Sequence, residues 1–193
     1  MNNRLSLKNF RVFDEKGAEF EIAPITVLTG CNSSGKSSVI KSLMLLKQYF
    51  NTIRDDYANN KSIEITDYEL LFNKGKHNLG SYEKSFSKHS KENNLMTFGW
   101  TTYSHLMLCD LKVEINFIEN HKNILNNGVV KSIKISKDAN EIVFLNFEDE
   151  IDFNINSQIF KSHFFRFVEL VKKEKDIEEN MGWNYSFGTT NYF

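Results

Sequence analysis

The sequence predicts an α/β fold in which a strand–loop–helix unit stands beside an antiparallel β-meander. Three observations predict it. A short, largely β-branched run, Ile25-Thr26-Val27-Leu28, passes through a glycine- and serine-rich loop into an apolar pattern of helical spacing. Four stretches between residues 111 and 155 alternate apolar and polar residues with period two, with turn-forming residues among them. The chain has one proline, Pro24, and 17 phenylalanines in 193 residues, a composition that favours packed regular structure over disorder.

The elements follow in order. Residues 4–13 (RLSLKNFRVF) place Leu5, Leu7, Phe10 and Val12 at loosely alternating points and read as a strand. "DEKG" at 14–17 is a turn and "EFEI" at 19–22 alternates again, which predicts a hairpin ending near Pro24. The run at 25–28 suits a strand buried on both faces of a parallel sheet. From Lys36 to about Phe50, the residues Val39, Ile40, Leu43, Met44, Leu46 and Phe50 recur at helical spacing. Residues 51–94 are polar, rich in Asn, Lys and Ser, and read as loops around one or two short elements. Apolar points return at Met96, Phe98 and Trp100. "LKVEINFI" (111–118), "VVKSIKIS" (129–136), "EIVFLNF" (141–147) and "EIDFNI" (150–155) then predict the meander, with turns at "NNG" (126–128) and "KDAN" (137–140). Phe160, Phe164, Phe167, Val168 and Val171 form the stripe of a helix over about 158–179. The expected organisation is one partial domain: hairpin and strand–loop–helix over 1–57, a polar irregular segment over 58–110, the meander over 111–157, and a helix and tail over 158–193.

Bulk properties narrow the class. The formal net charge is −1, so no global field draws the chain to nucleic acid or an anionic membrane. Two cysteines, Cys31 and Cys109, give no disulfide framework, and a reducing compartment is the simpler expectation. The N-terminus has no apolar signal region and no window reaches the length of a membrane span. A soluble, cytoplasmic protein with no membrane partner is expected.

Gly30-Cys31-Asn32-Ser33-Ser34-Gly35-Lys36-Ser37 matches G-x-x-x-x-G-K-[ST], the P-loop or Walker A pattern. Each fixed position has a chemical reason. Glycine lets the backbone wrap a phosphate with its N–H groups, without side-chain bulk. The loop runs into a helix whose first N–H groups lack internal partners and point at the anion. Lys36 supplies a point charge for the β- and γ-phosphates, and the Ser37 hydroxyl a ligand for Mg²⁺. Gly30, Asn32, Ser33, Ser34, Gly35, Lys36, Ser37 and Ser38 are therefore the candidate site for ATP and Mg²⁺. The competing reading is a chance glycine–serine turn with an exposed lysine. The buried-strand pattern before the loop and the amphipathic helix after it favour phosphate binding.

The stretch "LSLKNFRVF…ITVLTGCNSSGKSSVIKSLMLL" resembles the N-terminal half of an ABC-type ATPase head. It is most similar to the SMC, RecF and OLD-nuclease branch, often grouped as AAA family ATPases. Asn9-Phe10-Arg11 and Asn32 carry the resemblance, which is specific over about the first fifty residues. Ser33 departs from it, standing where many relatives have glycine; the loop should tolerate this if Ser33 keeps a negative φ. The resemblance implies a place for Arg11 near the nucleotide's phosphates or base; a surface arginine between strand residues is the alternative. It also makes Gln158 a candidate Mg²⁺ ligand, against a plain helix-start residue. Such heads follow about four apolar residues with Asp-Glu to hold Mg²⁺ and position water. The nearest stretch, Ile142 to Asp149, places its acids too late, and no LSGG-like signature is present.

Other features are weaker. Lys74, Lys76, Lys84, Lys88 and Lys91, with His77 and His89, form either a DNA-contacting loop or a solvated polar one, with Tyr82 and Phe86 as the available stacking rings. The histidines and cysteines lack metal-ligand spacing, so only nucleotide-bound Mg²⁺ is expected. "FEDEID" at 147–152 reads as an exposed hairpin end. Two functions compete: an ATP-binding ATPase head that hydrolyses only when completed by missing elements, and an inactive module that docks on a full-length ATPase or on DNA. A homodimer is a further possible partner state. A self-contained P-loop kinase or GTPase lacks a base-reading motif and an arginine-rich lid.

Overall fold

The computed structural model describes residues 3–59, 68–74, 78–90, 94–104, 108–121, 126–138, 140–147 and 151–155. The expected helix at 158–179, Gln158 and the tail lie outside these residues, as do the acids at 148–150 of the expected hairpin end. The fold is mixed α/β, with a mostly antiparallel sheet and few helices.

Among the described residues eight strands form one sheet: β1 (Arg4–Lys8), β2 (Ala18–Glu21), β3 (Glu69–Leu70), β4 (Met96–Ser104), β5 (Cys109–Glu119), β6 (Gly128–Lys137), β7 (Asn140–Phe147) and β8 (Ile151–Ile155). Their order is β2-β1-β4-β5-β6-β7-β8, with β3 pairing β6, and every described pairing is antiparallel. The N-terminal hairpin is therefore not a separate unit. β1 pairs β4 and extends the meander, with Leu5 opposite Trp100 and Leu7 opposite Phe98.

Period-two alternation sorts the sheet into two faces. Leu7, Phe98, Ile115 and Ile133 follow one another across β1, β4, β5 and β6. Their neighbours one residue along, such as Thr97, Asn116 and Ser132, share the opposite face and are hydrogen-bonded across the strands. The apolar face is covered by α1 (Lys36–Ala58), which buries Val39, Leu45, Leu46 and Tyr49. Tyr49 meets Phe117 edge-on at 5.4 Å, and Phe50 meets Trp100 at the same separation. Full burial of such a side chain contributes about 1.5–3 kcal/mol.

Two expectations about the first fifty residues need correction. The stretch 4–13 is a strand only to Lys8, because Asn9 and Arg11 adopt φ of 55° and 57° and turn the chain away. Residues 25–28 form no strand. Thr26 Oγ1 accepts from the Ala23 N–H at 2.9 Å and donates to the Ala23 carbonyl at 3.2 Å, closing a turn around Pro24. A doubly buried strand needs a ladder partner and cover on both faces; no described strand lies beside it, and Ile25 and Val27 are 86% and 78% exposed.

The polar stretch 51–94 is not loop from its start, since α1 continues to Ala58; among its described residues two short elements follow, β3 and α2 (Tyr82–Ser85). It also feeds the core, through Tyr68, Leu70, Phe72, Leu79 and Tyr82.

Candidate phosphate-binding site

The loop between residues 29 and 35 leads straight into α1, which starts at Lys36. Val39 N–H to Gly35 O, at 3.0 Å, is the bond that opens the helix. The N–H groups ahead of it have no intrahelical acceptor and lie at the positive end of the helix dipole. Gly30 and Gly35 take φ of 140° and 100°, which β-carbon-bearing residues rarely adopt. Gly35 is also hemmed in: a Cβ there would stand 2.7 Å from Phe13 Cζ and 2.8 Å from Val12 Cγ2. The end of the N-terminal turn thus backs the loop, a contact that spacing in the sequence did not reveal.

Ser33 has φ of 64°, so the expectation of a negative φ is overturned. The loop needs a left-handed residue between its two glycines, and here a serine adopts it. Asn32, Ser33 and Ser34 are exposed, and the Ser34 N–H reaches back to Cys31 O at 3.4 Å. The Lys36 ammonium curls over this loop and donates to Gly30 O at 2.6 Å and Cys31 O at 2.5 Å. Ser37 is exposed in the first helical turn, whereas Ser38 is buried.

Arg11 joins this group from the other end of the hairpin segment. Its Nε–H donates to Ser38 Oγ at 3.1 Å, and its main-chain N–H to Ser85 O at 2.7 Å. It is not a surface arginine between two strand residues; it stands beside the first turn of α1. The structure thus gathers Arg11 with Gly30, Asn32, Ser33, Ser34, Gly35, Lys36, Ser37 and Ser38 along one loop and helix end. Val12, Phe13 and Ser85 support that group and had no motif to announce them.

The other candidates separate from it. Tyr82 is 2% exposed and its hydroxyl accepts from the Met96 N–H, so it is a core residue and no stacking platform. Phe86 packs against Tyr82 at 6.0 Å between ring centroids. Among the described residues no group of His, Cys, Asp or Glu could hold a metal ion, and no helix is long and apolar enough to cross a membrane.

Comparison with known proteins bears on the whole chain. Neither the curated proteins nor the solved structures contain a match. The model of a family described as an AAA domain matches residues 4–183, which includes the loop, α1 and the entire described sheet. With a mixed α/β fold, a glycine loop feeding a helix N-terminus, and that match over most of its length, the chain belongs to the AAA domain family of nucleotide-binding ATPase domains.

Proposed function

We propose that the chain binds ATP with Mg²⁺ at the loop Gly30–Ser37, as the first part of an ATPase head of the SMC, RecF and OLD-nuclease kind. One observation carries this reading: two glycines with positive φ shape a loop that ends on free helical N–H groups, with Lys36 and Arg11 as cations on the same helix end. Those N–H groups would take the β-phosphate. Lys36 is bound to two neutral carbonyls; a phosphate adds the attraction of a full negative charge, which a carbonyl dipole lacks, so the ammonium would exchange partners. The donor set fits the cation as well, because the Ser37 hydroxyl is exposed in the first turn. When bound, Mg²⁺ neutralises phosphate charge. Hydrolysis would depend on a carboxylate pair and a signature loop that these 193 residues do not contain.

Titration with a fluorescent ATP analogue tests the reading. Removing a charged hydrogen-bond donor costs about 1.5–3 kcal/mol, so Lys36→Ala should weaken binding by about tenfold or more. Equal affinity of the wild type and Lys36→Ala would remove the proposal.

A second reading, a non-hydrolysing module that docks on a full-length ATPase, is favoured by the apolar side chains left open around the same unit. Ile25, Val27, Ile40 and Leu43 are all exposed. Sustained ATP turnover by the purified chain alone would exclude it.

A further inference from the structure

The turn Asn9-Phe10-Arg11 is fastened to two parts of the molecule at once. On one side, Arg11 Nε–H donates to Ser38 in the first turn of α1. On the other, Arg11 N–H donates to Ser85 O, and Ser87 N–H donates to Asn9 O at 3.1 Å. The Asn9 side chain adds two ties: Nδ2 donates to Leu95 O and Oδ1 accepts from the Ser90 hydroxyl, each at 2.7 Å. Between them Phe10 is completely buried and bridges to Phe86. Residues 85–90, together with Leu95, are thus seated on a three-residue turn whose far end holds the helix of the glycine loop.

The turn is conformationally unusual. Asn9 and Arg11 are both left-handed. Asparagine tolerates this, but an arginine stays there only when its surroundings hold it. The Arg11 fork is split in role. Its Nε is the anchor, while its two terminal amino groups have no protein partner among the described residues and are the part left to meet an anion.

We propose that Arg11 is a coupling residue: an anion in the loop fixes its guanidinium, and through the Asn9–Arg11 turn that contact stabilises the segment carrying Ser85, Ser87 and Ser90. The proposal rests on the phosphate reading above and extends it. It gives nucleotide occupancy a readout on a surface bearing the exposed Lys88 and His89. Coupling is reciprocal, so loosening the segment must weaken the nucleotide.

Backbone hydrogen exchange of the full chain, with and without ATP·Mg²⁺, tests it, with affinity measured on the same samples by fluorescent-analogue titration. ATP should slow exchange at the Arg11 and Ser87 amides at least about fivefold, the lower end of ordinary coupling. In Arg11→Lys, which keeps the charge but loses the fork, the slowing should fall below about twofold. Asn9→Gly suits the left-handed backbone and keeps the turn while removing both side-chain ties; it should weaken ATP about fivefold or more, although Asn9 is not part of the loop. A purely structural Asn9 would lower the urea midpoint and leave ATP affinity alone. Wild-type protein that binds ATP with no change at Ser87, or Asn9→Gly with unaltered affinity, overturns the coupling and leaves the loop reading standing. Wild-type protein that binds no ATP overturns both.

Discussion

Ser33 and Tyr82 show how a single residue's environment decides its contribution. At φ of 64° the Ser33 β-carbon is strained by about 1–2 kcal/mol, and a glycine there would forfeit only about 0.5–1 kcal/mol in chain entropy. Ser33→Gly should therefore be neutral to stabilising, by up to about 1 kcal/mol in a urea titration. A clear loss of stability would mean that the hydroxyl makes a contact worth more than the strain. Tyr82 is governed by burial, which is the largest influence on its pKa and raises it; the Met96 N–H opposes, and the nearby Glu119 charge raises it further. Its hydroxyl accepts from Met96 N–H at 2.9 Å and lies 2.7 Å from the carbonyls of Asn94 and Phe117. Because the folded pKa lies above the unfolded value of about 10, the stability of the neutral phenol is complete below that pH and is lost as pH rises through it. The urea midpoint should stay level to about pH 9 and fall above about pH 10. Tyr49, raised by the same cause, shares the effect. Tyr82→Phe should cost about 1–3 kcal/mol by orphaning the Met96 N–H and make the alkaline fall shallower; an unchanged slope would clear Tyr82 of any part in it. Neither conformation nor burial was readable at these two positions. A motif match specifies residue types, not φ, and an isolated tyrosine in a polar run carries no periodic signal.

At the level of the elements, legibility follows periodicity. β5 to β8 were readable because apolar residues such as Val113, Ile115 and Phe117, or Ile133 and Ile135, recur every second residue, as a half-buried antiparallel sheet demands, whereas β4 fell in the segment read as irregular. The hairpin of β1 and β2 was readable for the same reason, but its junction to the meander through β4 was not, since ladder partners leave no local mark. α1 was legible as a helix yet ambiguous as a surface, because it carries apolar residues both inward, such as Leu45 and Tyr49, and outward, such as Ile40 and Leu43. The β-branched run at 25–28 misled, since its composition suits a doubly buried strand only where neighbours exist to bury it. The polar stretch hid its core residues because the run Leu70-Leu71-Phe72 is too short to show a period, and Leu79 stands alone among polar neighbours. That last point gives a sharp test. Phe72 is completely buried and meets Tyr82 edge-on at 5.7 Å, so Phe72→Ala should destabilise by about 3–5 kcal/mol. A loop residue would change the urea midpoint hardly at all, and a shift of under about 0.5 kcal/mol would return this stretch to the solvated loop that its sequence suggests.

For the whole molecule, the consequence of covering the sheet with a single long helix, among the described residues, is an uneven surface. The sheet's apolar face is served by α1, but the outward side of α1 and the turn before the loop keep Ile25, Val27, Ile40 and Leu43 in the open. Single exposed apolar residues are ordinary; a concentration of them within one turn–loop–helix unit is a surface suited to association. Charge does little to oppose this, since a net charge of −1 leaves little repulsion between copies. The outward residues do not hold the fold together, which separates association from stability. Replacing Val27 and Leu43 together by lysine should leave the urea midpoint within about 0.5 kcal/mol for each site while lowering the binding of a hydrophobic dye and the concentration-dependent mass in sedimentation. A core disturbance would do the reverse, lowering the midpoint and raising dye binding. If the double variant unfolds early, these side chains are buried in solution, and the open face of α1 is covered by polypeptide after all.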